Sequence, residues 1–404
     1  MVEDRDMRKA IHPKSCKGFS LVDIMVGMVI GLLTMLVIMQ SYSAFEGQKR
    51  TTTTGMEAQE NGLIALHALE TDIRQAGYGM VASGALACNG INTYNNGVTK
   101  FNQPFIPIQI TDGLGGASDT ITAIYSNSPI GGIPARIVVA MPDSSAVLTV
   151  NTGNGFNVGD MLLVATPGAG LPCSQLAVTQ IQPQANGVNI IHNSGLSIYN
   201  PPGGSNIFPP GGYGTSPQSV VFDMGKMVQN QYQVLLPCTS LVMTDLTSIA
   251  GNPTCTNTSN IANATPLSYN IVSIQAQYGI AGPPAGNQLV NCWVNATNGG
   301  NACDAGNSDW TPNGLAATSA NIARIKAIRV AVVARSSLKE RSPTPGGLCA
   351  ATPSIAAPNY PQWNGGSGGT VALIDVTGIP NWQCYRYKVY QTIIPLRNIL
   401  WANI

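Results

Sequence analysis

The chain has 404 residues, only 10% of them charged, and its 20 basic and 19 acidic residues leave a net charge of +1. Soluble globular domains average about 25% charged residues, and a nearly neutral chain creates no global field that attracts nucleic acid or anionic lipid. With 44 Gly and 27 Pro, the composition is typical of a loop-rich β protein outside the cytoplasm. The length allows more than one domain, and no nucleic-acid partner is expected.

The N-terminal region changes character abruptly. Residues 1–18 are polar and carry several basic side chains, whereas residues 24–39 contain no charge. Together with residues 19–22, this apolar run approaches the roughly 20 residues that a helix needs to cross a bilayer. The basic flank predicts a cytoplasmic N-terminus and an external remainder. A conventional signal peptide cleaved after Ser43 is the alternative, although such peptides have a shorter apolar core.

The junction between the two segments reads KGFSLVD at residues 17–23. It resembles the processing site of type IV prepilins, in which a short basic leader ends in Gly and is followed by Phe and a hydrophobic helix with one acid. The resemblance implies that a prepilin peptidase cleaves between Gly18 and Phe19 and methylates the new amino group of Phe19. The family usually has Glu where this chain has Asp23.

Asp23 is an acid inside an otherwise apolar helix. A buried charge in a membrane costs roughly a few kcal/mol unless it is paired. The resemblance implies that Asp23 neutralises the terminal amine of a neighbouring subunit during assembly; alternatively, it only complements the dipole of the first helical turn. Gly27 and Gly31 form a GxxxG motif, which lets apolar helices approach each other closely.

An amphipathic helix is predicted to continue the apolar segment, with Gly77 as its C-cap. Its apolar residues at helical spacing are Leu63, Leu66, Leu69 and Ile73. We therefore predict a leader peptide over residues 1–18 and one N-terminal helix over 19–77. Residues 19–40 form its transmembrane and filament-core part, and residues 41–77 form an amphipathic stalk.

The remaining chain, residues 78–404, is predicted to be a β-rich head. Short apolar or alternating runs are separated by Gly, Pro and Asn turns, which favours antiparallel sheets. The predicted strands cover residues 120–125, 136–140, 161–165, 177–181, 188–192, 219–222, 232–236, 271–278, 325–333 and 385–394. Long loops are expected at residues 82–117, 196–218 and 281–320. The fold class is thus α+β, a long helix followed by a mainly antiparallel head.

Nine cysteines are present, and eight of them follow the apolar segment. Because no two of the eight form a CxxC motif and the chain has only three His, disulfides in an oxidising compartment are favoured over metal sites. Eight cysteines allow about 105 connectivities. Proximity favours Cys292 with Cys303 and Cys238 with Cys255, and it leaves Cys349 with Cys384 and Cys88 with Cys173.

Patterns that could carry chemistry are weak. Residues 365–369 (GGSGG) formally match GxSxG but lie in a glycine run without a following helix, and His192 reads as an ordinary strand residue. A Ca²⁺ site or a polar turn could be formed by Asp304, Asn307 and Asp309. The solvent face of a half-buried strand, rather than a DNA contact, is predicted for Arg324, Lys326, Arg329 and Arg335. We expect no enzymatic activity, cofactor or metal.

Several ordered segments of the chain resemble PilW-type minor pilins. They are residues 72–78, 118–122, 158–164, 274–279, 325–335 and 389–398. The resemblance implies a minor pilin that primes type IV pilus assembly at or near the fibre tip, with minor and major pilins and a tip adhesin as partners. Its expected location is the inner membrane, spanned once with a periplasmic head, and then the pilus at the cell surface. Two alternatives are a minor pseudopilin of type II secretion and a pilin-anchored adhesive module.

Overall fold

The structure is a computed structural model. It describes residues 18, 20–82, 85–86, 88, 90–103, 105–142, 147–202, 207–247, 252–256, 261–262, 264–282, 287–340, 342, 347, 349, 351–366 and 369–401. A long N-terminal helix precedes mainly antiparallel sheets, which confirms the predicted α+β class.

Helix α1 spans Leu21–Gln75 without interruption. By length and composition one stretch of it could cross a membrane, with a mean hydropathy of 2.6 over 18 residues that are 0% buried. The chain divides into two compact units, Met1–Thr53 and Thr54–Ile404, so the division falls within α1. Threonines, which have a low helix propensity, precede this point. The hydroxyls of Thr51 and Thr52 donate to carbonyls one turn earlier.

The other elements all belong to the second unit. In chain order the strands are β1 (Val81–Ala82), β2 (Ala85–Leu86), β3 (Ile91–Asn95), β4 (Val98–Gln103), β5 (Ile108–Thr111), β6 (Thr120–Tyr125), β7 (Ala135–Val139), β8 (Val147–Val150), β9 (Met161–Ala165), β10 (Cys173–Ala177), β11 (Gln180–Gln184), β12 (Gly187–Ile191), β13 (Val220–Gly225), β14 (Val228–Leu235), β15 (Ser240–Asp245), β16 (Thr254–Cys255), β17 (Ile261–Ala262), β18 (Thr265–Tyr269), β19 (Ile271–Ile280), β20 (Cys292–Val294), β21 (Ile325–Arg335), β22 (Gln362–Trp363), β23 (Ala372–Leu373) and β24 (Tyr387–Pro395). The short helices are α2 (Pro312–Ala317), α3 (Ser319–Arg324) and α4 (Arg397–Trp401).

Two sheets form the core around the end of α1. One has the strand order β18-β15-β14-β6-β5 and the other β20-β19-β21-β24. Leu69 and Ile73 of α1 belong to one buried apolar cluster with Ile121 of β6, Ile274 of β19 and Ile328 of β21. The last part of α1 is therefore a core element of the second unit.

A third, larger sheet has the strand order β11-β12-β8-β7-β13-β9-β10-β3-β4. Among its described pairs, β10 and β3 run parallel and the others antiparallel. Successive side chains of a strand point to opposite faces. Accordingly, Met161 and Leu163 of β9 join one buried cluster while Leu162 and Val164 join another. Both faces of the sheet are thus covered at β9, whereas the edge strands β4 and β11 are mostly exposed.

Among the described residues, four disulfides brace the sheets. They are Cys88–Cys173, Cys238–Cys255, Cys292–Cys303 and Cys349–Cys384, with Cα–Cα distances of 5.4, 6.1, 5.5 and 4.8 Å. These are the four pairs to which sequence proximity led. Each contributes roughly 3 to 5 kcal/mol by restricting the unfolded chain, most for the longest loop.

The predicted loops are partly wrong. Residues 82–117 contain β3, β4 and β5, and residues 281–320 contain β20 and α2. These strands are short and rich in Asn, Gln and Thr, which are weak signals for a strand. The predicted strand 177–181 also straddles the end of β10 and the start of β11.

Candidate assembly helix and its attachment to the head

The first turn of α1 holds Asp23 in a capping interaction. The backbone N–H of Ser20 donates to Asp23 Oδ2 at 3.2 Å, and the N–H of Val22 donates to Ser20 Oγ at 3.3 Å. This reciprocal pair is a capping box, so Asp23 satisfies its own helix N-terminus in the monomer. A carboxylate can accept further hydrogen bonds, and within the described residues Oδ1 accepts none.

The described residues contain no contact that tests the roles predicted for the other N-terminal candidates. Gly18 is exposed, whereas Phe19 and residues 1–17 lie outside the described residues, so the leader and its cleavage stay predictions. A Cβ built at Gly27 or Gly31 would meet nothing within 4 Å of the described chain. The surface of α1 at Gly27 and Gly31 is therefore unobstructed within the described chain, and close packing of another helix there stays a prediction.

The second half of α1 enters the core through a narrow stripe of mostly small residues. The buried positions are Thr54, Ala58, Gly62, Ala65, Leu69 and Ile73. Leu63, which the sequence pattern assigned to the apolar face, is 48% exposed. The hydrophobic periodicity was misleading because the small residues Gly62 and Ala65, rather than Leu63, are buried against the head. A Cβ at Gly62 would lie 2.3 Å from the ring of Tyr390 in β24, so a larger residue there would force the ring away.

Asp72 fixes this half of α1 to two strands. Its carboxylate accepts hydrogen bonds from the hydroxyls of Tyr232 at 2.5 Å and Tyr125 at 3.1 Å, and from the amide of Asn230 at 2.6 Å. Burial, together with the adjacent carboxylate, raises the pKa of both phenols. The two tyrosines therefore remain donors at neutral pH, and they join α1 to β6 and β14.

The C-terminal end of α1 is capped by hydrogen bonds with residues that are far apart in the sequence of the head. Gly77 has φ +82 and lies just beyond the helix, which confirms the predicted glycine C-cap. Its N–H donates to Ile124 O at 2.9 Å. The side-chain amide of Asn398 donates to the carbonyls of Gln75 at 3.0 Å and Ala76 at 3.3 Å. Segments 72–78 and 389–398, more than 300 residues apart, thus meet here.

Asp119 links β6 to β19. Its carboxylate accepts from the N–H groups of Ala276 at 2.7 Å and Gly113 at 2.9 Å. Burial raises the pKa of Asp119 to about 7, against the opposing effect of these two hydrogen bonds. Ser118 Oγ also accepts from the N–H of Ile274 at 2.9 Å. Segments 118–122 and 274–279 are therefore joined, whereas segment 158–164 overlaps β9 of the large sheet.

The candidate Ca²⁺ residues form a polar turn. Asp304 pairs with Arg324 at 2.9 Å and accepts from Trp310 Nε1 at 2.9 Å. Burial opposes the ionised form, but these hydrogen bonds outweigh it and lower the pKa of Asp304 to about 2. Asp309 instead accepts from the backbone and hydroxyl of Thr311. Within the described part of the chain, no cluster of His, Cys, Asp or Glu suited to a metal ion occurs.

The basic residues of β21 do not form a solvent face, so that prediction was wrong. Lys326 is 1% exposed and Arg329 is 6% exposed. The guanidinium of Arg329 lies 4.7 Å from the ring centroid of Trp293 and 5.6 Å from that of Trp363. β21 pairs with β19 and β24, and apolar clusters cover both its faces. Arg329 is therefore covered by aromatic rings, and the ammonium of Lys326 donates to Ala323 O at 2.8 Å.

Of the weak catalytic candidates, only His192 can be assessed. Ser367 of the GxSxG match lies outside the described residues. His192 is buried beside Phe208, with ring centroids 5.7 Å apart, and its Nε2 bonds to none of the described residues. Burial lowers the pKa of His192 to about 4. The environment of His192 is that of a packing residue.

Residues 227–398 match a protein family described as type IV pilus-assembly protein W. The match starts next to β14 and runs into α4, so it includes the sheet β20-β19-β21-β24 and covers less than half of the chain. No curated protein and no solved structure matches the chain. The matched half of the head is therefore similar to type IV pilus-assembly protein W, which supports a relation to that family and a role in pilus assembly.

Proposed function

We propose that this protein is a PilW-type minor pilin that primes assembly of a type IV pilus at or near the fibre tip. The main support is a combination within one chain. The family match covers β14, β19, β21 and β24, which are among the strands that pack with the end of α1, while the start of the same helix is apolar and exposed. The description of the family, which names the type IV pilus, favours this role over type II secretion.

In this proposal, residues 19–40 cross the inner membrane once, with the N-terminus in the cytoplasm and the head, residues 78–404, in the periplasm. A prepilin peptidase removes residues 1–18 between Gly18 and Phe19 and methylates Phe19. The helix then leaves the lipid and packs among the helices of other minor and major pilins. The surface around Gly27 and Gly31, where an added Cβ meets nothing, allows close approach of a neighbouring helix.

In the proposal, Asp23 sets the register in which the helix packs among the helices of the other pilins. Transfer of a helix with an unpaired carboxylate into an apolar bundle is unfavourable by roughly a few kcal/mol. The terminal amine of a neighbouring Phe19 would remove that cost in one register only. The capping contact with Ser20 leaves Asp23 Oδ1 without a described hydrogen-bond donor, so the carboxylate has capacity for the amine.

The test uses Asp23→Ala in the native host, with Asp23→Glu and Ser20→Ala as controls. We expect Asp23→Ala to insert in the membrane normally but to lower the number of pili severalfold, measured by electron microscopy and shearing. Asp23→Glu keeps the charge and should retain piliation. Ser20→Ala removes only the hydroxyl that accepts from the N–H of Val22 and should also retain piliation. Asp23→Asn keeps an oxygen for the N–H of Ser20 but has no charge, so it should be as defective as Asp23→Ala. Normal piliation of Asp23→Asn would mean that capping is the only role of Asp23 and that the proposal is wrong.

A further inference from the structure

A groove of about 1360 Å³ opens in the head between the largest sheet and the sheet β18-β15-β14-β6-β5. Strands β3, β4, β9 and β10 contribute to one wall, and β5, β6, β14 and β15 contribute to the other. Small-molecule sites are usually about 300 to 1000 Å³. The groove is thus large enough for a ligand made of several units.

The buried side chains of the groove lining are mostly apolar, and aromatic rings lie beside them. Ile91, Phe105 and Ile124 are buried, whereas Tyr94 and Tyr199 are only partly buried. Apolar floors with a few polar groups are typical of ligand sites. Flat, partly exposed rings offer a surface for C–H groups of a ligand that also carries polar substituents.

Three glutamine side chains in the groove lack hydrogen bonds. Gln109, Gln175 and Gln229 all line it, and none of their side-chain amides bonds to a described residue. Gln175 is only 9% exposed. The amide atoms of Gln175 are not among the fully enclosed polar atoms of the described chain, so they open into the groove, where a ligand could bond to them. Each amide offers both donors and an acceptor.

The charge of the lining is close to balanced. Lys100 and Lys226 are the basic residues of the groove and Asp245 is its acidic residue, among many uncharged amides and apolar side chains. Such a surface does not favour a polyanion, which needs a basic cluster. The ligand that fits has many hydroxyls that donate and accept, flat C–H faces, several units and no strong charge.

We propose that this groove binds a neutral oligosaccharide of several pyranose rings. An extended peptide is less well supported. Peptides commonly add to a free strand edge through backbone hydrogen bonds, and the edge strands that line the groove are β4 and β5. The unbonded amide of Gln175 lies on β10, which is separated from β4 by β3 and belongs to a different sheet from β5. Strand addition at either edge therefore makes no use of the Gln175 amide.

This inference is independent of the assembly role. Strands β3, β4, β9 and β10 all precede residue 227, where the match to the pilus-assembly family begins. The wall that carries Gln175 therefore belongs to a part of the head outside the matched segment. Loss of sugar binding would leave the assembly proposal intact, and loss of assembly would leave the groove intact.

The experiment measures binding to the full-length chain by titration calorimetry, in a detergent without a sugar headgroup. The probes are chitotetraose and cellotetraose, with tetragalacturonate as a charged comparison and a tryptic casein digest as the peptide probe. We expect saturable binding of at least one neutral tetrasaccharide with a Kd of about 1 mM or tighter. Tetragalacturonate should bind at least tenfold more weakly, by about the energy of one hydrogen bond, and casein peptides should not compete.

Variants of the groove complete the test. Gln175→Ala and Gln229→Ala should each weaken binding about tenfold, with unchanged thermal unfolding because neither amide bonds to the described chain. The matched control is Gln182→Ala on β11, which is partly buried in the same sheet but outside the groove; its affinity should not change. Absence of binding by both neutral probes, unchanged affinity in both groove variants, or displacement by casein peptides would overturn the proposal.

Discussion

Two acids, the half-buried Asp72 and the buried Asp119, join parts of the chain that are far apart in sequence. Asp72 and its donor Tyr232 are 160 residues apart, and Asp119 and its donor Ala276 are 157 apart. The sequence places both acids in segments that resemble the pilin family. It could not identify their partners, because a single sequence carries no information on which distant donor faces a given carboxylate.

The raised pKa of Asp119 predicts a pH-dependent contribution to stability. Its pKa is about 7 in the folded protein and 3.8 as the ordinary value, so the folded state binds the proton more tightly. The contribution of Asp119 to the free energy of unfolding is fully present below about pH 4. It decreases as the pH rises from about 4 and is lost above about 7. We expect the stability advantage of the wild type over Asp119→Asn to fall by about 1.4 kcal/mol per pH unit across this range.

Guanidinium unfolding, followed by tryptophan fluorescence at several pH values, measures this difference directly. The side-chain amide of the Asp119→Asn variant cannot titrate, so the contributions of other ionisable groups cancel between the two proteins. A difference that is constant from pH 4 to pH 8 would mean that Asp119 stays ionised throughout, with its two backbone hydrogen bonds outweighing its burial.

At the scale of elements, the attachment of α1 depends on close approach rather than on large apolar side chains. Gly62 contacts the ring of Tyr390, and a Cβ there would be only 2.3 Å from it. We expect Gly62→Ala to destabilise the protein by about 1 to 3 kcal/mol through overpacking. The matched control is Gly55→Ala, where an added Cβ meets nothing within 4 Å and should stabilise the helix by about 0.5 to 1 kcal/mol.

Thermal and chemical unfolding of both glycine variants measures these two changes in stability. Opposite signs of the two effects support the packing of α1 on β24. Equal stabilisation by both substitutions would mean that Tyr390 moves aside freely and that this contact is weak.

The elements that the sequence predicts well are those with strong local signals. The long apolar helix is confirmed, and β6 covers the predicted residues Thr120–Tyr125. β21 was placed correctly, but its burial was not. Its alternating charges indicate a half-buried strand, whereas Trp293 and Trp363 cover Arg329 from distant positions in the chain. Leu63 was assigned to the wrong face because large apolar residues dominate a periodicity argument, although small ones make the closest contacts.

For the whole molecule, two kinds of evidence cover different parts. The family match begins at residue 227, while the largest sheet runs from Ile91 to Gly225. The proposed assembly role therefore depends on α1 and the matched strands, and the proposed ligand binding depends on a groove with one wall in the unmatched part. The disulfide pairs could be predicted from the sequence because three of the four join cysteines at most 35 residues apart. The two remaining cysteines then form the fourth pair.

The central claim is that the apolar helix is retained after processing and becomes part of the fibre. Mass spectrometry of the N-terminal peptide of this chain, recovered from pili sheared off the native host, tests it most directly. We predict that the chain is present in the pili and begins at Phe19 with one methyl group on its amine. A chain that begins before Phe19, begins after Ser43, or is missing from the pili would contradict the account.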